Sequence, residues 1–438
     1  MRRNASRREF LQTTAAIGAG YWVAGGVMAQ ESRSPNEKVQ VACVGVGGKG
    51  RSDAEAANRH GKVVAMCDVD SKFLSGLESI FKTGNTFADY REMFDKMGDK
   101  FDAVTVSTPD HTHAVIAAAA MKMGKHVYCQ KPLTRTIWEA RRLRELAEEH
   151  KVVTQMGNQH TADTAMRRAA HQIKEGMLGT VSEVHVWTNR PVWPQGEARP
   201  AEASPPDSLD WAQWIGPAPM RPYGEGYHPF KWRGWWDFGT GALGDMACHT
   251  CNLPFMALNM RDPVAVEAET AGHNEDSYPV WSQIKFDFPA LDGREAFNLY
   301  WYDGGKLPDP KLFSDVTLPG APAGSGCVVI GDKGKLYAAG DYADQGIQVI
   351  GTEEIKVDFP RSRGHELEFY DGIRNPERTP MSNFVTYSGP FTETILLGNL
   401  AVWKQGKVEW DAKTMTPLND PSLAKIVKPD YQNGYELI

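Results

Sequence analysis

The sequence predicts an α/β domain built on a parallel sheet, followed by an α+β domain with a large, mostly antiparallel sheet. Over residues 39–156, short apolar runs alternate with helical patterns, which is typical of parallel strands covered by helices on both faces. Beyond about residue 157, apolar and polar residues alternate, as in antiparallel strands with one buried face. The 438 residues suffice for two packed domains, which we place at residues 36–156 and 157–438.

Residues 1–29 are predicted to be a twin-arginine signal peptide rather than part of either domain. Arg7 and Arg8 precede a mildly apolar run, residues 15–28, and Val27-Met28-Ala29 resembles a small-residue cleavage site. We therefore expect the protein to use the twin-arginine export machinery and to be periplasmic or exported. An ordinary basic tail followed by a short helix is the alternative.

The net charge argues against two classes of partner. It is −7 at pH 7, and the first 29 residues carry four arginines against one glutamate, so the two domains are more acidic still. An acidic surface repels phosphate backbones and anionic headgroups. We therefore expect no nucleic-acid partner and no binding to anionic membranes.

A glycine-rich turn follows the first apolar strand. The strand, residues 39–44, leads into Gly45-Val46-Gly47-Gly48-Lys49-Gly50, and a helical pattern covers residues 52–59. In a Rossmann dinucleotide-binding domain, the first glycine permits the tight turn, the second lets the backbone approach a pyrophosphate, and the third allows close packing of helix on strand. The N–H groups at the helix start would bind the phosphates. A glycine-rich surface turn is the alternative, but the flanking strand and helix favour a nucleotide site.

Asp68 indicates which dinucleotide is bound. It follows a second apolar strand, residues 63–67, about 20 residues beyond the glycines. An acidic side chain at this position accepts hydrogen bonds from the ribose hydroxyls and repels a 2′-phosphate. The predicted cofactor is therefore NAD rather than NADP.

The later elements of the first domain bring three polar segments to one edge of its sheet. Ligands of an open α/β sheet bind beyond the carboxyl ends of the strands, where residues 108–111, 130–132 and 157–160 are expected. The predicted helices cover residues 71–82, 90–96, 112–123 and 136–150, and the predicted strands cover residues 103–107, 126–129 and 152–156.

The second domain is predicted from its alternating runs and from one aromatic-rich stretch. Residues 190–221 are dense in proline and tryptophan with little periodicity, which indicates an ordered loop layer over a cleft. The six cysteines form neither a disulfide framework nor two pairs at zinc spacing, so we expect no metal site. Strands are predicted at residues 181–188, 264–270, 283–288, 297–301, 327–330 and 335–338, and a helix at residues 393–404.

Asp245 and His249 lie four residues apart in a helical pattern that follows several glycines. Side chains at this spacing share one face of a helix, roughly 5–6 Å apart at Cβ. A histidine beside a carboxylate is a usual base near neutral pH. The alternative is a buried core histidine and a charge near the start of a helix.

Four motifs together resemble the Gfo/Idh/MocA oxidoreductases, a family that includes glucose–fructose oxidoreductase and inositol dehydrogenase. The motifs are residues 45–50, Ser107-Thr108-Pro109 with His113, the stretch 124–127 leading to Lys131-Pro132, and Gly244-Asp245 with His249. The family's Glu-Lys-Pro element is Gln130-Lys131-Pro132 here, so the lysine is retained and the glutamate is not.

The resemblance implies that Lys131, Asp245 and His249 line a nicotinamide pocket. Oxidation of a secondary alcohol needs a base for the hydroxyl proton, for which His249 is the candidate. Asp245 would orient His249 or bind the hydroxyl, and Lys131 would stabilise a developing alkoxide unless it only forms a structural ion pair. The predicted cofactor contacts are Gly45, Gly47, Gly48, Lys49, Gly50, Asp68, Ser107, Pro109, His113, Gln130, Lys131 and Asn158.

Aromatic residues ahead of Asp245 indicate the substrate class. Indole faces stack on the C–H faces of sugar rings, and Arg, His and Tyr side chains bind hydroxyls, although dense aromatics also form ordinary cores. A sugar, cyclitol or glycoside is therefore the expected substrate, in line with the family. The predicted substrate contacts are Gln159, Tyr227, His228, Arg233, Trp235 and Trp236.

Three functions stay open on the sequence. The first is an exported NAD-dependent oxidoreductase with a tightly held cofactor. The second resembles the NAD-dependent α-N-acetylgalactosaminidases, which cleave a glycoside through transient oxidation, and needs a further base such as Tyr227, His228 or Tyr302. The third is a sugar-binding protein without catalysis. Because broad antiparallel sheets often pair across one face, we expect a homodimer or homotetramer.

Overall fold

The computed structural model describes residues 38–291 and 293–437, so the predicted signal peptide lies outside the described residues. The first part of the chain alternates strands and helices as predicted. Its strands are β1 (Gln40–Val44), β2 (Lys62–Cys67), β3 (Thr86–Phe87), β4 (Ala103–Val106), β5 (His126–Cys129) and β6 (Thr154–Met156). The helices between them are α1 (Lys49–His60), α2 (Ser71–Phe81), α3 (Tyr90–Met97), α4 (Asp110–Lys122) and α5 (Ile137–His150).

These six strands form one parallel sheet in the order β3-β2-β1-β4-β5-β6. The strand order reverses between β1 and β4, which creates the crevice in which ligands of such sheets bind. The predicted Rossmann sheet is therefore confirmed.

Local sequence explains where these helices begin. Thr136 and Glu139 form a capping box at the start of α5, and the carboxylates of Asp70 and Asp89 cap α2 and α3. In contrast, Pro109 precedes α4 without a side-chain cap. Almost every residue of α4 is buried, because this helix lies inside the main hydrophobic core rather than on the surface.

The second part of the chain builds a nine-stranded sheet. Its strands are β7 (Val181–Trp187), β8 (Ala265–Thr270), β9 (Ser282–Phe288), β10 (Phe297–Tyr302), β11 (Gly326–Gly331), β12 (Gly334–Ala339), β13 (Ile347–Ile350), β14 (Lys407–Asp411) and β15 (Thr416–Pro417). The strand order is β13-β12-β11-β7-β10-β9-β8-β14-β15, and β7 and β10 are the parallel pair in an otherwise antiparallel sheet. The prediction of a large, mostly antiparallel sheet is confirmed.

One helix of the later part of the chain packs on the first sheet. Phe369 and Tyr370 of this helix share a core cluster with Val41, Val63 and their neighbours in β1 and β2. The chain thus returns to its first sheet long after the boundary that we predict at residue 157. The helices of this part are α6 (Thr164–Lys174), α7 (Trp211–Ile215), α8 (Gly241–Thr250), α9 (Asn252–Leu258), α10 (His365–Arg374), α11 (Gly389–Lys404) and α12 (Ala424–Val427), and α10 is the returning helix.

The aromatic-rich stretch is docked on the end of β2. Leu209 forms a backbone bridge with Asp70, and the Asp210 N–H donates to the Val69 carbonyl at 2.9 Å. His228 Nε2 lies 3.0 Å from the Asp70 carboxylate. These contacts hold the predicted loop layer against the ligand-binding edge of the first sheet. In the structure it extends beyond the predicted residues 190–221, and we use the name loop layer for residues 190–238 from here on. Within the described ranges, no helix is both long and apolar enough to span a membrane.

Candidate active site

A cleft of about 580 Å³ opens at the carboxyl edge of the first sheet. Three parts of the chain line it. The first belongs to the Rossmann sheet: the glycine turn, residues 45–49, the segments that follow β2, β3, β4 and β5, and the side chains of Phe73 and Ile116 in helices α2 and α4. The second is the part of the loop layer from Gln213 to Arg233, and the third is Tyr435. The cleft therefore occupies the position at which a dinucleotide crosses such a sheet.

The glycine turn fits a pyrophosphate for identifiable steric reasons. Gly45 has φ of +77°, and a Cβ there would overlap the backbone of Ser107. A Cβ on Gly50 would overlap the Gly45 carbonyl, so this glycine allows the predicted close packing of α1. At Gly47 a Cβ would overlap the ring of Phe73, which itself lines the cleft. Helix α1 has no side-chain N-cap, which leaves backbone N–H groups at its start for phosphate oxygens.

Asp68 lies at the end of β2 and lines the cleft, as expected of a ribose-binding carboxylate. Its Oδ2 accepts the N–H groups of Val46 at 2.7 Å and Gly47 at 3.2 Å, and its Oδ1 accepts the N–H of Asp70 at 2.9 Å. Burial raises the pKa of this carboxyl, and the hydrogen bonds from Asp70 and Val46 work against that rise. Asp68 therefore also fixes the shape of the glycine turn.

Asp53 is a buried hub that the sequence analysis missed. Its carboxylate accepts hydrogen bonds from Lys49 Nζ at 2.6 Å, Ser107 Oγ at 2.8 Å and Gln130 Nε2 at 2.9 Å. The last contact explains the departure from the family motif, because a glutamate at position 130 would bring a second carboxylate against Asp53. Lys49 and Asp53 are four residues apart in a helical pattern, and this spacing could have predicted their ion pair.

Lys131 joins the first sheet to helix α8. Its Nζ lies 2.9 Å from Asp245 Oδ1 and 3.0 Å from the Asp245 carbonyl oxygen. Arg233 Nε donates to the same carboxylate oxygen at 3.1 Å. Burial alone would raise the pKa of Asp245, but the two cations outweigh it and hold that pKa well below its usual range. Asp245 is therefore a fixed anion that positions Lys131 and Arg233.

His249 follows Asp245 by one turn of α8. Burial, followed by the nearby charge of Lys131, lowers the pKa of His249 well below its usual value. Its Nδ1 is buried and has no hydrogen-bond partner among the described residues. The ring of Tyr342 meets the imidazole edge-on at 4.7 Å and stacks on His160 at 4.2 Å. The imidazole is therefore neutral and offers an unpartnered nitrogen, but its lowered pKa makes it a weaker base than an ordinary histidine. Lys131 lines the cleft, whereas Asp245 and His249 are not part of its lining.

Three predicted cofactor contacts, Gly50, His113 and Asn158, are not part of the cleft lining. The ring nitrogens of His113 face the carbonyls of Pro132 and Thr108 at 2.9 and 2.8 Å, and burial lowers its pKa to about 4. His113 thus holds together the turns that follow β4 and β5. Asn158 is fully buried and accepts a hydrogen bond from Ser382 Oγ. The remaining predicted cofactor contacts that line the cleft are Gly45, Gly47, Gly48, Lys49, Asp68, Ser107, Pro109, Gln130 and Lys131.

Three of the predicted substrate contacts lie in a hydrophobic core rather than in the cleft lining. Tyr227 and Trp235 pack on each other at 5.3 Å inside a buried aromatic cluster. Trp236 stacks on Tyr278 at 3.7 Å, also within a core. None of these three lines the cleft, because their rings fill the interior of the molecule, which was the stated alternative.

The other predicted substrate contacts have different positions. His228 and Arg233 line the cleft. Gln159 is half-buried and begins the short turn Gln159–Ala162 after β6.

Among the lining residues that have no predicted role, Asp110 and Tyr435 stand out by their chemistry. Asp110, at the start of α4, is buried and accepts a hydrogen bond from Thr240 Oγ1 at 2.8 Å. Burial raises its pKa to about 7, against the lowering effect of Arg233 and Thr240. The segment 108–111 was expected at this edge, so its location could be predicted. Tyr435 comes from the far end of the described chain, and nothing in the local sequence signals its position.

The thiols and acidic side chains give no further site of their own. The six cysteines are buried and free. Over residues 38–291 and 293–437, no group of three or more histidine, cysteine, aspartate or glutamate side chains could hold a metal ion.

Comparison with known proteins relates both parts of the chain to one family. Residues 39–158 match the oxidoreductase family model for the NAD-binding Rossmann fold, and residues 162–309 match that family's C-terminal α/β domain. Levoglucosan dehydrogenase from Pseudarthrobacter phenanthrenivorans is 27% identical over 169 residues, which are 39% of this chain and 35% of that protein. A glycosyl hydrolase family 109 protein from Solibacter usitatus is 35% identical over 164 residues, which are 33% of this chain and 37% of that protein. These alignments span less than half of each relative.

A solved structure shares the fold over most of the chain. An inositol dehydrogenase homologue from Azotobacter vinelandii, complexed with NADH and myo-inositol, matches with a TM-score of 0.56 at 18% identity. The match covers 86% of this chain and 98% of that one. Because the two family models together cover more than half of the sequence, this chain belongs to the Gfo/Idh/MocA family of NAD-binding oxidoreductases.

Proposed function

We propose that this protein is an exported NAD-dependent oxidoreductase that removes hydride from a secondary hydroxyl of a sugar, cyclitol or glycoside and holds its NAD tightly. The observation that carries the proposal is the Lys131–Asp245 ion pair, 2.9 Å long, at the edge of the nucleotide cleft, with neutral His249 one helical turn along. The levoglucosan and inositol dehydrogenase matches support this substrate class.

In the proposed oxidation of a hydroxyl group, each side chain of the site has a separate role. NAD, when bound, supplies the hydride acceptor. The Asp245 carboxylate pairs with Lys131 and Arg233 and holds both side chains in place. Lys131 Nζ would donate a hydrogen bond to the reacting oxygen and stabilise its negative charge as the proton leaves. His249 Nδ1, which is neutral and unpartnered among the described residues, would accept that proton.

The same cleft supports the choice of cofactor and its retention. The start of α1 would bind the pyrophosphate, and Asp68 would accept the ribose hydroxyls and repel the extra phosphate of NADP. The loop layer, fixed to Asp70 through His228 and Leu209, would limit escape of the nucleotide. Export rests on Arg7 and Arg8 of the leader, and a resident cofactor suits a protein that folds before transport.

Redox-neutral cleavage of glycosides is the second candidate, and the match to a glycosyl hydrolase family 109 protein favours it. This reaction needs another base. Of the three residues considered, Tyr227 lies in a core, and Tyr302 bonds to His185 at 3.1 Å. His228 lines the cleft and is therefore the remaining candidate. Glycoside turnover without accumulation of reduced nicotinamide would distinguish this reaction from net oxidation.

We also infer that the protein forms a homodimer or homotetramer through its nine-stranded sheet. Residues that alternate with the buried ones along β9 and β10, such as Lys285 and Tyr300, are half-buried on the outer face. Light scattering together with substitutions on that face tests this inference.

Substitution of Lys131 and His249 tests the catalytic proposal. Lys131→Ala and His249→Ala should still bind NAD, and each should slow reduction of bound NAD by a substrate sugar by at least about 100-fold. Lys96→Ala is the matched control, since it removes a lysine that is paired with Glu92 on α3 and is not part of the cleft lining. Loss of NAD binding in the Lys131 or His249 variant would instead indicate a structural role. A wild-type protein that binds sugars but never reduces its NAD would favour the sugar-binding function.

A further inference from the structure

Residues 428–437 run past the cleft and are held there by specific contacts. Asn433 Nδ2 donates to the carbonyls of Gly216 and Ala218 at 2.8 and 3.0 Å. The Tyr431 hydroxyl donates to Glu139 Oε1 at 2.6 Å, and Leu437 is buried. These anchors involve both the loop layer and α5. Neither matched family model extends to this segment.

Tyr435 is the residue of this segment that lines the cleft. The guanidinium carbon of Arg91 lies 4.8 Å from the centre of its ring, and Arg91 is itself paired with Asp89 at 2.7 Å. One face of the ring is thus covered by a fixed cation. The rest of the half-buried side chain is turned to the cleft, where Tyr90 is also part of the lining.

Sheet order identifies the half of the cleft to which Tyr435 belongs. A dinucleotide crosses the crevice with one nucleotide on each side of the switch point, here between β1 and β4. The β2 side carries Asp68, which would bind the adenosine ribose, whereas the β5 side carries Lys131. Tyr90 and Arg91 begin α3, directly after β3, and so Tyr435 lies on the adenosine side.

We propose that residues 431–437 form the outer wall of the adenosine half of the cleft and that Tyr435 stacks on the adenine base. Every base offers a π-face to an aromatic ring, and an arginine on the opposite face holds that ring in place. The proposal rests on the proposed NAD-dependent function and deepens it, because it names a part of the chain that retains the cofactor.

Binding of three nucleotides to protein freed of its own nucleotide tests the proposal by calorimetry. Tyr435→Ala should weaken NAD and ADP-ribose by the same factor, between about 5- and 150-fold. Nicotinamide mononucleotide lacks adenosine, so its affinity should not change. Tyr435→Phe keeps the ring and should stay within about twofold of wild type for all three.

Two further variants distinguish the loss of a stacking contact with adenine from a nonspecific loss of nucleotide binding. Phe359→Ala is the matched control, because Phe359 is also a half-buried ring under an arginine, Arg361 at 5.2 Å, but lies outside the cleft. It should leave all three affinities unchanged. Asn433→Ala keeps Tyr435 but removes two anchoring hydrogen bonds, so it should weaken NAD and ADP-ribose, and it provides the test if Tyr435→Ala does not fold.

The outcomes distinguish this proposal from the proposed function. If wild-type protein binds NAD but Tyr435→Ala binds NAD and ADP-ribose equally well, the adenine contact is refuted and the oxidoreductase function stands. An equal loss for nicotinamide mononucleotide would also refute it, because Tyr435 would then act on the whole cleft. If the wild type binds none of the three nucleotides, both proposals fail.

Discussion

Gln130 shows how a single side chain is matched to its surroundings. Its amide N–H donates to Asp53, the buried carboxylate that also receives Lys49 and Ser107. Only a donor satisfies an ionised carboxylate at this position. Asp53 therefore explains why this chain has glutamine where the family motif has glutamate: the amide can donate to the Asp53 carboxylate, and a second carboxylate cannot.

Gln130→Glu tests this reading of the Asp53 hub. The variant places the carboxyl of residue 130 against that of Asp53. Either one of the two carboxyls is protonated, or two negative charges repel each other. We expect a loss of about 1–3 kcal/mol in the free energy of unfolding near pH 8 and a smaller loss near pH 5, where one carboxyl is protonated. Chemical denaturation at both pH values measures it. An equal loss at both pH values would contradict the charge explanation.

Single residues of the site were predictable where a local motif positions them. Asp68 and Lys131 line the cleft, as their places at strand ends predict, and Lys131 contacts Asp245; their role in binding or catalysis stays a prediction. The rings of Tyr227, Trp235 and Trp236 were assigned to the wrong surroundings. Composition shows that a stretch is aromatic, but the side of the chain that faces the core depends on partners such as Tyr278 and Phe238.

At the scale of elements, the glycine turn and α1 form a unit in which backbone contacts leave no room for a side chain. Gly50→Ala would push a Cβ into the Gly45 carbonyl. We expect it to lower the free energy of unfolding by about 1–3 kcal/mol or more and to weaken NAD binding, since the phosphate-binding turn must move.

Gly76→Ala is the matched control for this substitution. Gly76 is an exposed residue within α2, and none of the described residues has an atom within 4 Å of a Cβ there. The change should stabilise the protein by about 0.4–1 kcal/mol and leave NAD affinity unaltered. Thermal unfolding and a nucleotide titration of both variants give the comparison. Similar behaviour of the two variants would show that the turn tolerates movement.

Elements with a strong period were predictable to within a few residues. The alternation in β9 and β10 was recognised because every second residue is buried. Strands of two residues, such as β3 and β15, are too short to show an alternation of buried and exposed residues, so the sequence does not predict them. Helix α10 was not predicted, and its docking on β1 and β2 depends on contacts between residues more than 300 positions apart, which no local pattern contains.

At the scale of the whole molecule, buried histidines make stability depend on pH. Burial lowers the pKa of His111 to about 3 and those of His113 and His365 to about 4. The unfolded chain therefore binds more protons than the folded one as pH falls below about 6.5. The stability that the neutral rings contribute is present above that pH and is lost as pH falls towards about 4.

The melting temperature measures this dependence. It should be lower near pH 5 than near pH 7.5, because five buried histidines have lowered pKa values, the three above together with His185 and His249, and they outnumber the four acids that act in the other direction. Burial raises the pKa of Asp110 to about 7 and that of Asp303 to about 6, and it also raises the pKa values of Asp68 and Glu393, so the stability that these carboxyls contribute is lost as pH rises. A melting temperature that is equal or higher near pH 5 would contradict the account of the histidines.

The most direct test of the central claim is the nucleotide content of protein purified without added cofactor, followed by the near-ultraviolet absorbance of reduced nicotinamide when sugars and glycosides are added. The account predicts that NAD accompanies the protein and that at least one such compound reduces it, with product analysis deciding between oxidation and cleavage. Protein that emerges without nucleotide and binds no NAD when it is supplied would contradict the account at its origin, the cleft built on the turn from Gly45 to Gly50.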